Sequence, residues 1–319
     1  MTKSLIDPEL LQAFQGEPPV VDVDAGNLKE VRKSTLEMMA GFTSDERAPV
    51  SVTRATARAG SPAHEVPVIV YRPGEGPARK PAILHLHAGG FVLGDARMSE
   101  GYCRKLAADT GAVVISVDYR LAPEFPFPAA LEDAYAALLW TRDHHESLRI
   151  DPNRLAITGE SGGGGLAAQL AFWVRDRKEA PVAFQFLTYP MLDDRTGSTR
   201  DPGAHAGQAF WTRSSNRFAW SALLGQPAGS SDVSYPAVPA RIEDLSGLVP
   251  AYLAVGTLDL FAAEVLDYAR ALAAQGVATE LHLYPGATHG FDFAVGTSLS
   301  NLFFEERKRA FARAFAGSF

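Results

Sequence analysis

From Pro81 onward the chain repeats one pattern, and that pattern restricts the fold more than any other feature. Short apolar runs rich in β-branched residues recur at Ile83–Leu86, Val113–Val117, Leu155–Thr158, Phe184–Tyr189, Tyr252–Val255 and Glu280–Tyr284. Helix-length stretches separate most of them: Ser99–Thr110, Pro128–His144, Gly164–Lys178 and Ala262–Gln275. A strand that is apolar on both faces must be covered on both faces, and helical crossovers supply the cover. The alternation therefore predicts an α/β fold built on a mainly parallel, doubly wound sheet. Phe303–Phe315 reads as a closing helix. Upstream, Asp7–Gln15 and Asn27–Ala40 carry helical periodicity. Val50–Arg58 and Val66–Tyr71, separated by Ala-Gly-Ser-Pro, read as an antiparallel pair with His64 in its turn.

One segment breaks the rhythm. Between Asp193 and Val249 no clear alternation is visible, only Gly-, Ser- and Pro-rich sequence around Phe210, Trp211, Phe218 and Trp220. So long an interruption between core strands reads as an inserted lid in preference to an ordinary surface excursion. A surface loop has little reason to carry four large aromatics.

The chemistry is concentrated at strand ends. Gly159-Glu160-Ser161-Gly162-Gly163 follows one strand and precedes a helix, the context that G-x-S-x-G requires. A sharp turn there lifts the serine hydroxyl clear of the sheet, glycines let the backbone pass, and the helix N-terminus favours developing negative charge. No Gly-Lys-Ser/Thr follows, so a phosphate-binding P-loop is excluded. A serine needs a base. Of the eight histidines, His289 is the one in a loop directly after a late strand. His144 and His145 sit at a helix end, His205 in the interruption and His282 inside a strand. Asp259 follows the strand Tyr252–Val255 and can orient the histidine. The chain order Ser161, Asp259, His289 is that of the α/β-hydrolases. After Ile83–Leu86 comes His87-Ala88-Gly89-Gly90-Phe91, a turn able to offer backbone N–H groups to a reacting carbonyl.

With these motifs, and with Asp118-Tyr119-Arg120-Leu121-Ala122-Pro123-Glu124 and Phe127-Pro128-Ala129-Ala130, the sequence resembles the hormone-sensitive-lipase-like (bacterial type IV) esterases. The similarity covers Pro81 to Phe293. It implies Ser161 as nucleophile, His289 as general base, Asp259 as its orienting partner, and oxyanion donors from the backbones of Gly89, Gly90 and Gly162. It also implies a division into N-terminal cap helices (1–48), a first core part (49–192), a cap insertion (193–249) and a second core part (250–319). A homodimer is a further family-level expectation, and Glu124 matches a position that is usually structural. Three departures stand out. Ala88 occupies a position that is usually glycine, Glu160 replaces the usual Asp or Thr, and Ala263 replaces a second Asp.

Composition narrows the partners. The net charge of the 319-residue chain is −7, which argues against a nucleic-acid surface. The single cysteine, Cys103, excludes a disulfide framework or a cysteine-rich zinc site. The polar, acidic N-terminus carries no signal pattern. No apolar run approaches the ~18 residues that span a bilayer. The expectation is a soluble, cytoplasmic serine carboxylester hydrolase without a cofactor, acting on a small-molecule ester. Phe91, Phe210, Trp211, Phe218 and Trp220 would line a bounded pocket favouring short to medium acyl chains. A base that must be neutral predicts a rate rising through roughly pH 6–7. The alternatives are a lactone or amide hydrolase, or a binding protein on the same scaffold.

Overall fold

The computed structural model describes residues 3–40, 49–59, 64–74 and 78–319. Its strands, in chain order, are β1 (Val20–Val21), β2 (Val50–Ala59), β3 (His64–Pro73), β4 (Lys80–Leu86), β5 (Val113–Val117), β6 (Ile150–Glu160), β7 (Val182–Thr188), β8 (Phe210–Trp211), β9 (Ala251–Gly256) and β10 (Thr279–Tyr284). Eight of them form one sheet in the order β10-β9-β7-β6-β4-β5-β3-β2. β2 and β3 pair antiparallel, as does β3 with β5, and every other pair is parallel. The central strands are buried on both faces; all five residues of β5 are inaccessible.

The helices are α1 (Pro8–Ala13), α2 (Leu28–Ala40), α3 (Glu100–Thr110), α4 (Ala129–Asp143), α5 (Gly162–Arg177), α6 (Arg213–Leu224), α7 (Ala262–Ala274) and α8 (Ser298–Phe315). Their ends follow local chemistry. Asp7 caps α1 by accepting from the N–H groups of Glu9 and Leu10, with Pro8 in the first turn. Gly111, at φ 68°, closes α3 in the left-handed conformation. The chain steps from β4 to β5 in one direction and from β5 to β6 in the other. Right-handed crossovers therefore place α3 on one face and α4 on the opposite one. α8 packs beside α3, and α5 beside α4. Among the described residues no helix is long and apolar enough to cross a membrane.

Several expectations need correction. His64 does not lie in a turn: it is the first residue of β3, with Nε2 2.5 Å from Asp133 Oδ1. The separating residues 60–63 lie outside the described residues. The strand ending in the serine turn is longer than its apolar stretch, because β6 begins at Ile150 and runs through polar Asp151–Arg154. The 193–249 segment also holds a helix, α6, which periodicity missed. Two of its buried residues are polar. Ser215 Oγ accepts from Val23 N–H and donates to Val21 O, and Asn216 Nδ2 donates to Thr196 O. The first turn, Arg213–Asn216, is entirely polar, and the buried apolar residues Ala219, Trp220 and Leu223 follow only in the later turns of this short helix.

α6 also meets the N-terminal arm. β1 and β8 form a separate two-stranded parallel pair, Val20 opposite Phe210 and Val21 opposite Trp211. The arm before the sheet and the segment between β7 and β9 are thereby joined over the strand ends.

Candidate active site

β4 and β6 are neighbours, with Leu86 opposite Gly159, although α3, β5 and α4 intervene in sequence. The winding reverses between them, and at such a switch point the carboxyl ends of strands diverge to leave a crevice. The turn His87–Phe91 and Ser161 emerge side by side there. The two flanking glycines of the serine motif are needed for close approach. A Cβ on Gly159 would overlap the carbonyl of Gly163 and stand 2.7 Å from Leu86 O. A Cβ on Gly163 would overlap the carbonyl oxygens of Leu86 and His87. Ser161 itself takes φ 57° and ψ −121°, a conformation costly for any residue with a Cβ and held here by the surrounding backbone. Its N–H donates to Thr188 O at 3.0 Å, and its carbonyl accepts from Gly165 and Met191, each at 3.0 Å.

β9 and β10 are also neighbours, so the loops after Gly256 and Tyr284 run together, with Leu258 N–H donating to Ala287 O at 3.0 Å. That contact brings Asp259 and His289 into register. His289 Nδ1 lies 2.8 Å from Asp259 Oδ2, and His289 Nε2 lies 3.0 Å from Ser161 Oγ. All three side chains are buried. The other Asp259 oxygen accepts from Phe261 N–H at 2.9 Å, and the imidazole is flanked by Tyr189 and Phe261 with ring centroids 4.4 and 5.3 Å away. With Asp259 ionised, Nδ1 carries the proton and Nε2 is left to accept from the serine hydroxyl.

The departures from the family pattern resolve locally. Ala88 does not take a left-handed φ; Gly89 (φ 131°), Gly90 (φ 58°) and Phe91 (φ 66°) do. The tight part of the turn falls after the alanine. Gly162 approaches the same turn so closely that a Cβ there would stand 2.7 Å from Gly90 N and 2.8 Å from Phe91 N. Among the described residues the N–H groups of Gly89, Gly90 and Gly162 donate no hydrogen bond. Glu160 is buried, with Oε2 3.0 Å from His85 Nε2, and His85 Nδ1 lies 3.0 Å from Ser116 Oγ. This pair ties the end of β6 to β4 from below. Sequence reasoning missed it; its signal was a histidine in the middle of an otherwise apolar strand. Beside Ala263, Glu264 accepts from the N–H groups of Leu192 (2.7 Å) and Asp193 (3.2 Å) and from the Thr196 hydroxyl, holding α7 against the chain that leaves β7.

His87 leads into the turn. Its ring stacks on Tyr119 at 4.1 Å, Tyr119 Oη donates to His87 O at 2.7 Å, and Nδ1 donates to Ala88 O at 2.8 Å. Burial pushes the imidazole pKa down to about 4, only partly offset by the bond to Ala88. The unfolded chain takes up a proton near histidine's ordinary pKa of about 6.5, whereas the native state resists until about 4, so this group's stability contribution is complete above the first value and disappears as pH falls through the second. The urea midpoint of the wild type should therefore fall more between pH 6.5 and 4 than that of His87→Phe, which keeps the stack but cannot be protonated. The differential is at most on the order of 3 kcal/mol. Parallel pH curves for the two proteins would show that His87 contributes nothing to acid lability.

The expected pocket aromatics divide into two groups. Phe91 and Trp220 are fully buried against each other, with centroids 5.4 Å apart, and back the turn from within. Phe218 is half-buried against the core. Phe210 and Trp211 lie over the strand ends. The Trp211 ring covers Gly90, where an added Cβ would overlap Cζ2 and stand 2.6 Å from Cη2. Phe210, at φ 55°, reaches Gly290 beside His289 and packs on Phe14 (5.3 Å) and Phe293 (5.7 Å). A small cavity of ≈ 60 Å³ lies behind Ala88 and Glu160. Roomier concavities of ≈ 780 and ≈ 880 Å³ open elsewhere on the surface and touch none of Ser161, Asp259 or His289. Chemistry, not volume, picks out the site. The remaining histidines lie apart: His144 stacks on Trp140, and His282 pairs with Glu280 in β10. Among the described residues no cluster of His, Cys, Asp and Glu could hold a metal ion.

A sequence profile for the alpha/beta hydrolase fold matches residues 83–293. Esterase LipI of Mycobacterium tuberculosis is 34% identical over 301 residues, covering 91% of this chain and 88% of that protein. Ethyl acetate hydrolase of Pseudomonas putida is 33% identical over 293 residues, 89% of each chain. Among solved structures, a bacterial heroin esterase superimposes with a TM-score of 0.91 at 35% identity, over 99% of both chains.

Proposed function

The chain belongs to the alpha/beta hydrolase fold family, in its hormone-sensitive-lipase-like branch, and is a carboxylic ester hydrolase; from that premise we propose that it works through a Ser161–His289–Asp259 triad and an acyl-enzyme. The observation that carries this reading is the continuous hydrogen-bonded path from Asp259 Oδ2 through His289 to Ser161 Oγ, with steps of 2.8 and 3.0 Å. Ser161 Oγ bonds to the ester carbonyl carbon while its proton passes to His289 Nε2. The negative charge that develops on the carbonyl oxygen is met by the N–H groups of Gly89, Gly90 and Gly162. His289 then protonates the departing alcohol as its C–O bond breaks. Water, deprotonated by the same histidine, attacks the acyl carbon and releases the carboxylic acid and the serine. Asp259 holds the tautomer and offsets the imidazolium charge.

The proposed cap joins the N-terminal arm to the 193–249 insertion through the β1–β8 pair, and the ester enters beneath it. Phe210 and Trp211 would bound the acyl or alcohol group on the histidine and oxyanion sides. This favours short to medium acyl chains. The test is a chain-length series of p-nitrophenyl acetate, butyrate, octanoate and palmitate, combined with labelling by a p-nitrophenyl alkylphosphonate and peptide mapping. Turnover peaking at the short esters, with the phosphonate on Ser161, is expected. An adduct on any other residue would sink the assignment.

Trp211→Ala should widen the bounded end. The ratio of kcat/KM for octanoate over butyrate is expected to rise about tenfold, the scale of a few methylenes gaining apolar contact. An unchanged ratio would mean that Trp211 does not face the substrate.

A further inference from the structure

The strongest unassigned feature is a single side chain that joins the N-terminal helix to the turn after β4. Arg32, on α2, donates from Nε to Val92 O at 2.8 Å and from Nη2 to Ala122 O at 3.0 Å. It also forms a bidentate pair with Glu124, Nη1 to Oε1 at 2.7 Å and Nη2 to Oε2 at 2.8 Å. Ala122 N–H in turn donates to Phe91 O at 3.0 Å. One guanidinium thus touches the turn directly at Val92 and indirectly through Ala122. Val92 belongs to the turn proper, since its N–H and that of Leu93 both donate to Gly89 O, at 3.1 and 2.8 Å.

The turn needs such external ties. Gly89, Gly90 and Phe91 take φ of 131°, 58° and 66°, three consecutive residues with positive φ, the last an aromatic for which that region is costly. A strained backbone persists only where its surroundings over-determine it. From below, the ties are Tyr119 to His87 O and Ala122 to Phe91 O; from the side, Arg32 provides the remaining one.

We propose that Arg32 is a positioning residue for the oxyanion turn, so that docking of α2 and correct placement of the Gly89 and Gly90 N–H groups are coupled. This rests on the triad reading above. Overall stability does not explain the contact well. The Glu124 side chain is 51% exposed and that of Arg32 is 27% exposed, and pairs of that kind contribute about 0–1 kcal/mol. The arrangement also requires arginine. Three donors in a planar fork reach two carbonyls and a carboxylate at once, which a lysine ammonium on a single stem cannot do. Glu124 is held below the usual carboxylate range by its bond to Arg32, so the fork stays charged and paired through the working pH range.

The test compares full-length wild type, Arg32→Ala, Arg32→Lys and Glu124→Gln in p-nitrophenyl butyrate kinetics, inhibition by butylboronic acid, and thermal melting. Butylboronic acid forms a tetrahedral adduct on the serine and so reports the oxyanion donors. For Arg32→Ala, kcat should fall about ten- to hundredfold, as small misplacements of reacting groups do, with KM within about twofold. Boronate affinity should fall in step with kcat while the melting temperature changes little. Arg32→Lys should recover part of the loss. Glu124→Gln, which leaves both carbonyl bonds in place, should lose a few-fold in kcat only, and it carries the test if Arg32→Ala does not fold. Unchanged kcat in folded Arg32→Ala, or in Glu124→Gln where Arg32→Ala does not fold, would overturn the proposal, as would a rise in KM alone. Activity at the wild-type level in folded Ser161→Ala would instead overturn the triad reading and the proposal with it, an outcome distinct from unchanged kcat in Arg32→Ala.

Discussion

Ser161→Ala should lower kcat on p-nitrophenyl butyrate by about 10⁴- to 10⁶-fold, the scale seen when a member of a cooperative triad is removed. The loss is expected to be this large because nothing near the site can substitute. His289 Nε2 points at Ser161 Oγ, its Nδ1 is committed to Asp259, and His87, the histidine that leads into the neighbouring turn, has its Nδ1 bonded to Ala88 O and its ring stacked on Tyr119. Residual rate would come from the oxyanion donors and binding alone. Folding should be little affected. The hydroxyl makes one side-chain hydrogen bond, and the turn is held by main-chain contacts from Ser161 to Thr188, Gly165 and Met191. The measurement is kcat with a melting curve on the same preparation. A folded variant retaining more than about 1% of wild-type kcat would contradict the nucleophile assignment.

Gly163→Ala should abolish the folded protein. The methyl group would overlap the carbonyl oxygens of Leu86 and His87 and stand 2.7 Å from the Leu86 carbonyl carbon, all of them backbone atoms of the strand and turn beside it. Neither side can yield. Gly163 is in the first turn of α5, and Leu86 is held in the sheet opposite Gly159. The expected cost is about 4–5 kcal/mol or more, beyond the range of ordinary substitutions and comparable to the whole stability of a marginal domain. Insoluble expression, or a melting temperature lowered by well over ten degrees, is the anticipated readout. Gly26→Ala is the control, because its added carbon would meet only one side-chain oxygen, Asp24 Oδ1, at 3.2 Å, and no backbone atom. Equal behaviour of the two variants would show that close approach at Gly163 is not what the motif requires.

Both predictions follow from features already legible in the sequence. The alternating apolar runs marked the eight-stranded sheet with errors only at element ends, because each strand buried on both faces must be apolar and each covering helix must be amphipathic. The serine turn was equally legible, since the backbone tolerates only small residues where β6 meets α5. Ser161, Asp259 and His289 were each singled out because they follow a strand, and the structure brings them within hydrogen-bonding distance because strand ends in such a sheet converge.

What the sequence determined by itself is thus local: periodicity, turn chemistry and the order of elements. The tertiary structure decided what depends on which distant segments touch. It placed β4 beside β6, brought Glu160 onto His85, and put the tight part of the turn after Ala88. It joined Val20–Val21 to Phe210–Trp211 and laid Arg32 across Val92, Ala122 and Glu124. It also formed α6, whose buried Ser215 and Asn216 hydrogen-bond backbone groups of the N-terminal arm and of Thr196. The physical reason is the same throughout. A hydrogen-bonding partner far along the chain leaves no trace in the spacing of its neighbours, whereas burial on one face or both imposes a repeat that can be read from residue types alone.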